Sequence, residues 1–120
     1  MKLISLKYAL KGIILGTKKE TNFKVMIVCF ALVIAVNLLF SVNSIEWAIT
    51  ILCCGAVLSA ELINSAIEKA VDLVTAEKDI LAGEAKDMAA GASLVISIAS
   101  AIVAAIIYLP YLFEYIKEIK

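Results

Sequence analysis

Hydrophobic and polar positions divide the chain into four stretches. Over residues 3–19, Leu3, Leu6, Tyr8, Leu10, Ile13, Ile14 and Leu15 alternate with lysines 7, 11, 18 and 19, and Lys2 precedes them. That pattern predicts an amphipathic helix lying on an anionic membrane surface. Residues 25–42 carry no charge and only two polar members, Asn37 and Ser41. At ~1.5 Å per residue they make about 27 Å of helix, enough to cross a bilayer core. Residues 88–109 are also uncharged and are expected to end a span at Pro110. Between them, Trp47 to Ala60 is uncharged but shorter than the roughly 20 residues a crossing needs. The helix must therefore continue through Glu61-Leu-Ile-Asn-Ser-Ala-Ile to about residue 68, which puts Glu61 roughly 21 Å into a core about 30 Å thick. The connection, about residues 71–87, has Gly83 as its expected breaker, so the second helix is expected to extend past the membrane before the chain turns back. The predicted fold is a single all-α membrane domain over residues 1–120. It has a surface helix at 3–19 and spans at about 25–42, 47–68 and 88–109.

Composition strengthens this reading. The chain has 120 residues, 63% of them apolar, and a mean hydropathy of +1.02. A soluble fold of this size hides only about two-thirds of its unfolded surface, so lipid must take the place of water around it. Eleven lysines balance eleven acids, a neutral sum that implies no nucleic-acid partner. There is no Arg and no His, so acid–base chemistry falls to Glu, Asp, Lys or Tyr. Cys29, Cys53 and Cys54 lie in apolar runs without metal or redox spacing and are expected to be small buried hydrophobes. The N-terminal stretch lacks the uninterrupted apolar core and cleavage site of a secretory signal.

Charge placement gives an orientation. Lysines 2, 7, 11, 18, 19 and 24 precede the first span, and residues 41–46 contain none, so the positive-inside rule predicts a cytoplasmic N-terminus at the plasma membrane. The 71–87 connection then faces the cytoplasm as well, in agreement with Lys69, Lys78 and Lys86. The C-terminus faces outward, although Lys117 and Lys120 mildly oppose that.

The candidate chemistry lies on the second span. Glu61, Asn64, Glu68 and Asp72 are spaced 3, 4 and 4 apart and so form one stripe of a helix. A charge within a span costs on the order of 3 kcal/mol and normally lines a polar cavity or pathway. Three acids on one stripe repel one another unless a cation joins them, and hard oxygen ligands suit Mg²⁺ with phosphates completing its shell. Glu20, Lys86 and Asp87 fall at the same membrane level. Spacing alone leaves a catalytic site and a transport site both open. The alternative to an enzyme is a small oligomeric transporter or channel coupled through Glu61. The uncharged outer halves of all three spans favour a site that opens to one side. Ser93, Ser97, Ser100 and Ala104 are expected to serve close helix packing, and Trp47, Tyr108 and Tyr111 to be interfacial anchors. Three short helices cannot both enclose the polar groups and shield them from lipid, so the active unit is expected to exceed one chain.

The segment Glu61-Leu-Ile-Asn-Ser-Ala-Ile-Glu-Lys-Ala-Val-Asp72 resembles the signature of the prokaryotic diacylglycerol kinase family, which includes the undecaprenol kinases. Lys11-Gly12, Glu20-Thr-Asn-Phe23 and Ala85-Lys86-Asp87-Met88-Ala89-Ala90-Gly91-Ala92 occur in the family's order and spacing, and the resemblance covers roughly residues 5 to 110. It implies a homotrimer whose sites lie between subunits at the membrane–cytoplasm boundary and transfer the γ-phosphate of Mg–ATP to a lipid hydroxyl. Carried over, Glu61 is the general base, and Glu20 and Glu68 hold Mg²⁺. Asn64, Lys86 and Asp87 position phosphates and the base, Tyr8, Glu77 and Asp79 contact the nucleotide, and Asp72 and Lys11 support the site. Thr21, Met26 and Lys78-Asp79 stand where the family often has Arg or His. Asn22-Phe23 and the Ala89-Ala90-Gly91-Ala92 run look closer to the Gram-positive undecaprenol kinases, so the resemblance favours undecaprenol over diacylglycerol. Neither a Gly-x-x-x-x-Gly-Lys-Ser/Thr loop nor a protein-kinase signature is present, so phosphates must be held differently.

Overall fold

The structure is a computed structural model that describes residues 3–119 as four helices: α1 Leu3–Lys19, α2 Thr21–Phe40, α3 Ser44–Val74 and α4 Ile80–Ile119. Lys2 and Lys120, two of the lysines that bear on the orientation, lie outside the described residues. α2, α3 and α4 are each long and apolar enough to cross a membrane. Their burial pattern inverts that of a soluble bundle. Among the residues whose burial is described, only Phe23, Val42, Ala89 and Ile107 are buried apolar side chains, whereas Asn37, Thr50, Glu61, Asn64, Ser65 and Ser93 are buried polar ones. Apolar side chains face outward and polar ones inward, as expected where lipid is the solvent and helices associate through polar contacts and packing.

Glu20 separates α1 from α2. Its backbone is extended (φ −106°, ψ 113°), and the amide before the break still closes on Gly16, with Glu20 N donating to Gly16 O at 3.0 Å. Gly16 is buried, and a Cβ there would come within 2.6 Å of Leu62 Cδ2 on α3, so the missing side chain lets α1 lie close to α3. Phe23 wedges beneath this contact and is 3% exposed. α2 ends at Ser41, which adopts the left-handed region (φ 52°, ψ 50°) while its amide and that of Val42 bond back to Leu38 O and Asn37 O. Asn43 then opens α3 with a capping box: its Oδ1 accepts from Glu46 N at 2.9 Å and Glu46 Oε1 accepts from Asn43 N at 3.1 Å.

Two expectations are corrected. The connection between the second and third spans is only residues 75–79, because α3 continues to Val74 and α4 starts at Ile80. Asp79 Oδ1 accepts from Ala82 N at 3.0 Å and caps α4, so Gly83 falls in its first turns, where a glycine costs only about 1 kcal/mol, and does not break the chain. Nor does the third helix stop at Pro110. It runs through that residue to Ile119. Contacts on either side hold it: Tyr108 OH donates to Asn37 Oδ1, Tyr111 OH donates to Glu46 Oε1, and the Phe40 ring lies against Tyr108, Tyr111 and Tyr115. Proline inside a membrane helix is tolerated when neighbours hold the segment in this way.

The same contacts form a polar clasp at the end of the bundle remote from α1. Asn37, fully buried, donates from Nδ2 to Thr50 Oγ1 at 2.9 Å and accepts from Tyr108, tying α2 to α3 and α4 at once. Tyr108 and Tyr111, expected as plain interfacial anchors, are therefore hydrogen-bonding members of the fold. Asn37→Ala should lower stability by about 1–2 kcal/mol, because two partners lose their bonds inside the bundle. The measurement is the unfolding midpoint in a denaturing detergent titration, and an unchanged midpoint would remove the clasp from the account of stability. Below the clasp, Ser97, Ser100 and Ala104, expected to serve close packing, line a cavity of about 360 Å³ together with Cys54 and Val57, and the Ser100 hydroxyl oxygen is buried. Cys53 and Cys54 are half-buried and Cys29 is exposed, so burial of all three is not observed.

Candidate active site

The α3 stripe passes from inside the bundle to its surface. Glu61 is 6% exposed and Asn64 9%, while Glu68 and Asp72, two and three turns further on, are exposed. Register accounts for this: the four residues share one face, and α4 covers only the lower part of it. Ser93 on α4 is itself buried and donates from Oγ to Glu61 Oε2 at 3.0 Å. Asn64 Oδ1 is buried without a hydrogen-bond partner among the described residues.

Two ion pairs stand above this buried layer. Lys86 on α4 reaches Asp72 Oδ1, Nζ to oxygen 2.5 Å, and Lys69 on α3 reaches Glu20 Oε1 at the same distance. Glu20 owes its position to the one-residue break between α1 and α2. Three of the four partners are at least 39% exposed, and the fourth, Glu20, is 29% exposed, so each pair contributes no more than about 1 kcal/mol and exchanges readily for another charge. Lys69 and Glu68 are adjacent and thus point about 100° apart around α3. Glu20 consequently faces the flank of the helix beside the Glu68 stripe. Among the described residues, no three His, Cys, Asp or Glu side chains of one chain converge to hold a metal ion.

The remaining predicted residues fall into two groups. Glu77, Asp79 and Lys86 line one open pocket of about 450 Å³ at the tip of the α3–α4 hairpin, with Asp79 also serving as the α4 cap. Tyr8 and Lys11 lie together on the exposed face of α1, with Lys11 Nζ 5.9 Å from the Tyr8 ring centroid. Asp87 is exposed and in none of the observed ion pairs. Beneath α1 a groove of about 370 Å³, bordered by Gly12, Gly16, Leu62 and Ser65, leads to the Glu20–Lys69 pair. Sequence reasoning missed Ser93, which it assigned to packing, and Lys69, which it noted only for orientation. A signal for Ser93 was present: it follows Lys86 by seven residues and so lies two turns along the same helix face.

The model of the prokaryotic diacylglycerol kinases matches residues 7–108. The chain belongs to that family. This lipid kinase is 39% identical over 108 residues to the undecaprenol kinase of Bacillus subtilis, an alignment covering 90% of this chain and 88% of the relative. It is 35% identical over 91 residues to the diacylglycerol kinase of Helicobacter pylori strain J99, covering 76% and 71% of the two chains. It is also 36% identical over 88 residues to the diacylglycerol kinase of Pseudomonas aeruginosa, covering 73% and 72%. Every candidate site residue from Tyr8 to Asp87 lies inside the matched region of the kinase.

Proposed function

We propose that this kinase transfers the γ-phosphate of ATP to the hydroxyl of a membrane lipid alcohol, with undecaprenol preferred over diacylglycerol. The observation that carries the reading is Glu61, a buried carboxylate held through one oxygen by Ser93 directly below two exchangeable ion pairs. A lipid hydroxyl lies near the interface, within reach of that carboxylate, while the nucleotide approaches from water. Glu61 takes the hydroxyl proton as the lipid oxygen bonds to the γ-phosphorus. The bond to the bridging oxygen of the departing ADP breaks, and the lipid leaves as its monophosphate. Lys86 exchanges Asp72 for phosphate oxygens. Asn64, with an acceptor left unpaired, and Asp87 orient the phosphates and the base. Tyr8, Glu77 and Asp79 contact the nucleotide, and Lys11 and Asp72 support these groups.

Carboxylates are the hard donors that Mg²⁺ takes, and Glu20 and Glu68 are the residues that would hold it. The ion would neutralise charge on the phosphates being transferred. Because Glu20 faces the flank beside Glu68 within one chain, the donor set is best completed by a neighbouring subunit. The unit is a homotrimer in the plasma membrane, with the N-terminus and the site on the cytoplasmic side and the C-terminus outside. Preference for undecaprenol rests on the match to the Bacillus subtilis enzyme, which spans more of both chains than the two diacylglycerol kinase matches above.

One assay tests substrate and orientation together. Radiolabelled ATP and Mg²⁺ are supplied to inside-out and right-side-out vesicles containing the protein and either undecaprenol or diacylglycerol. Label should enter undecaprenol faster, and only in inside-out vesicles. Equal labelling of both lipids would overturn the preference, labelling of right-side-out vesicles alone would reverse the orientation, and labelling of neither lipid would remove the reaction.

A further inference from the structure

A glutamate side chain has three rotatable bonds, and in a groove at the membrane interface most of its rotamers point the carboxylate away from a bound hydroxyl. Some element of the protein must select one. α4 supplies the only observed hydrogen bond to Glu61 among the described residues, from Ser93 Oγ to Oε2 at 3.0 Å, with both residues buried. The use of this hydroxyl is not the default for its kind. Thr17 donates to Ile13 O of its own helix, and Thr50 to Glu46 O and Trp47 O of its own helix. Ser93 instead directs its donor across to α3, and it occupies Oε2 while leaving Oε1 free of protein hydrogen bonds. A carboxylate held in this way presents one defined lone pair to a substrate and loses less freedom when the substrate arrives.

We propose that Ser93 is a positioning residue of the reaction, fixing the Glu61 carboxylate so that Oε1 meets the lipid hydroxyl. The proposal rests on Glu61 as the base. Its test compares Ser93→Ala, Ser93→Val and Ser93→Thr, each alone and combined with Glu61→Gln, in the purified protein reconstituted with its preferred lipid. Ser93→Ala and Ser93→Val should lower kcat about tenfold to a hundredfold, the scale of one hydrogen bond to a charged group, and leave KM for ATP unchanged. Ser93→Thr keeps the hydroxyl with nearly the shape of Val and should restore most of kcat. Adding Ser93→Ala to Glu61→Gln should cost little further, because the group through which Ser93 acts is already lost. Equal activity of the Thr and Val variants, or a full additional loss in the Glu61→Gln background, would show a packing role and overturn the proposal. A fall in kcat for Glu61→Gln with wild-type kcat for Ser93→Ala would overturn positioning and leave Glu61 as base. Wild-type activity of Glu61→Gln would overturn both.

Discussion

Glu61→Gln is expected to lose roughly 10²- to 10⁴-fold in initial rate while keeping the wild-type dependence on Mg²⁺ and ATP. Glutamine preserves the size of the side chain, and its amide oxygen still accepts from Ser93, but it cannot take a proton from the substrate. Glu68→Gln should behave differently. It stands exposed on the same stripe, and in the proposed role of metal ligand it would contribute charge to the Mg–ATP complex, so its loss should raise the Mg²⁺ concentration needed and weaken ATP binding along with the rate. Initial rates against Mg²⁺ for both variants and wild type, in one bilayer preparation, separate the two roles. A shifted Mg²⁺ dependence for Glu61→Gln together with a purely maximal-rate defect for Glu68→Gln would interchange the assignments.

Two inactive proteins should make an active one. Within a chain Glu20 is paired with Lys69 on the flank of α3, away from the stripe that carries Glu61 and Glu68. If the Glu20 that completes a site comes from the neighbouring subunit, co-assembly of Glu20→Gln with Glu61→Gln creates some sites with both wild-type residues. Equal random mixing around a closed ring leaves about one quarter of sites intact, so about one quarter of the wild-type rate should return. Mixed oligomers, verified by two affinity tags and remaining as inactive as either parent, would place each site within a single chain.

The helical architecture was legible because long apolar runs bounded by charged residues leave few alternatives, and the 3-4-4 spacing from Glu61 to Asp72 had already put the acids on one face. The boundaries were less legible. Gly83 and Pro110 are local breaking signals, and both were overridden: Gly83 by the Asp79 cap one turn before it, Pro110 by hydrogen bonds to α2 and α3 that join residues 65 to 71 positions apart. Long-range pairing also hid Ser93. Serine on a membrane helix serves packing or hydrogen bonding equally well by composition, and only the register of α4 against α3 brings it to Glu61. Lys69 is a similar case, since its partner depends on where the α1–α2 break delivers Glu20.

The extension of α3 and α4 beyond the expected span ends has its own consequence. Their 31 and 40 residues correspond to about 46 and 60 Å of helix, against about 30 Å of hydrocarbon, so the two helices continue past the lipid as an antiparallel post that takes up most of the expected 71–87 connection. Residues displayed on such a post have no independent freedom: their spacing is locked by helix phase. Inserting one residue between Ser65 and Glu68 would swing Glu68, Lys69 and Asp72 by about 100° relative to Glu61 and detach both ion pairs, whereas the same insertion within residues 75–79 would be taken up by the turn. Chain length is therefore tightly constrained from Glu61 to Val74 and permissive immediately after it.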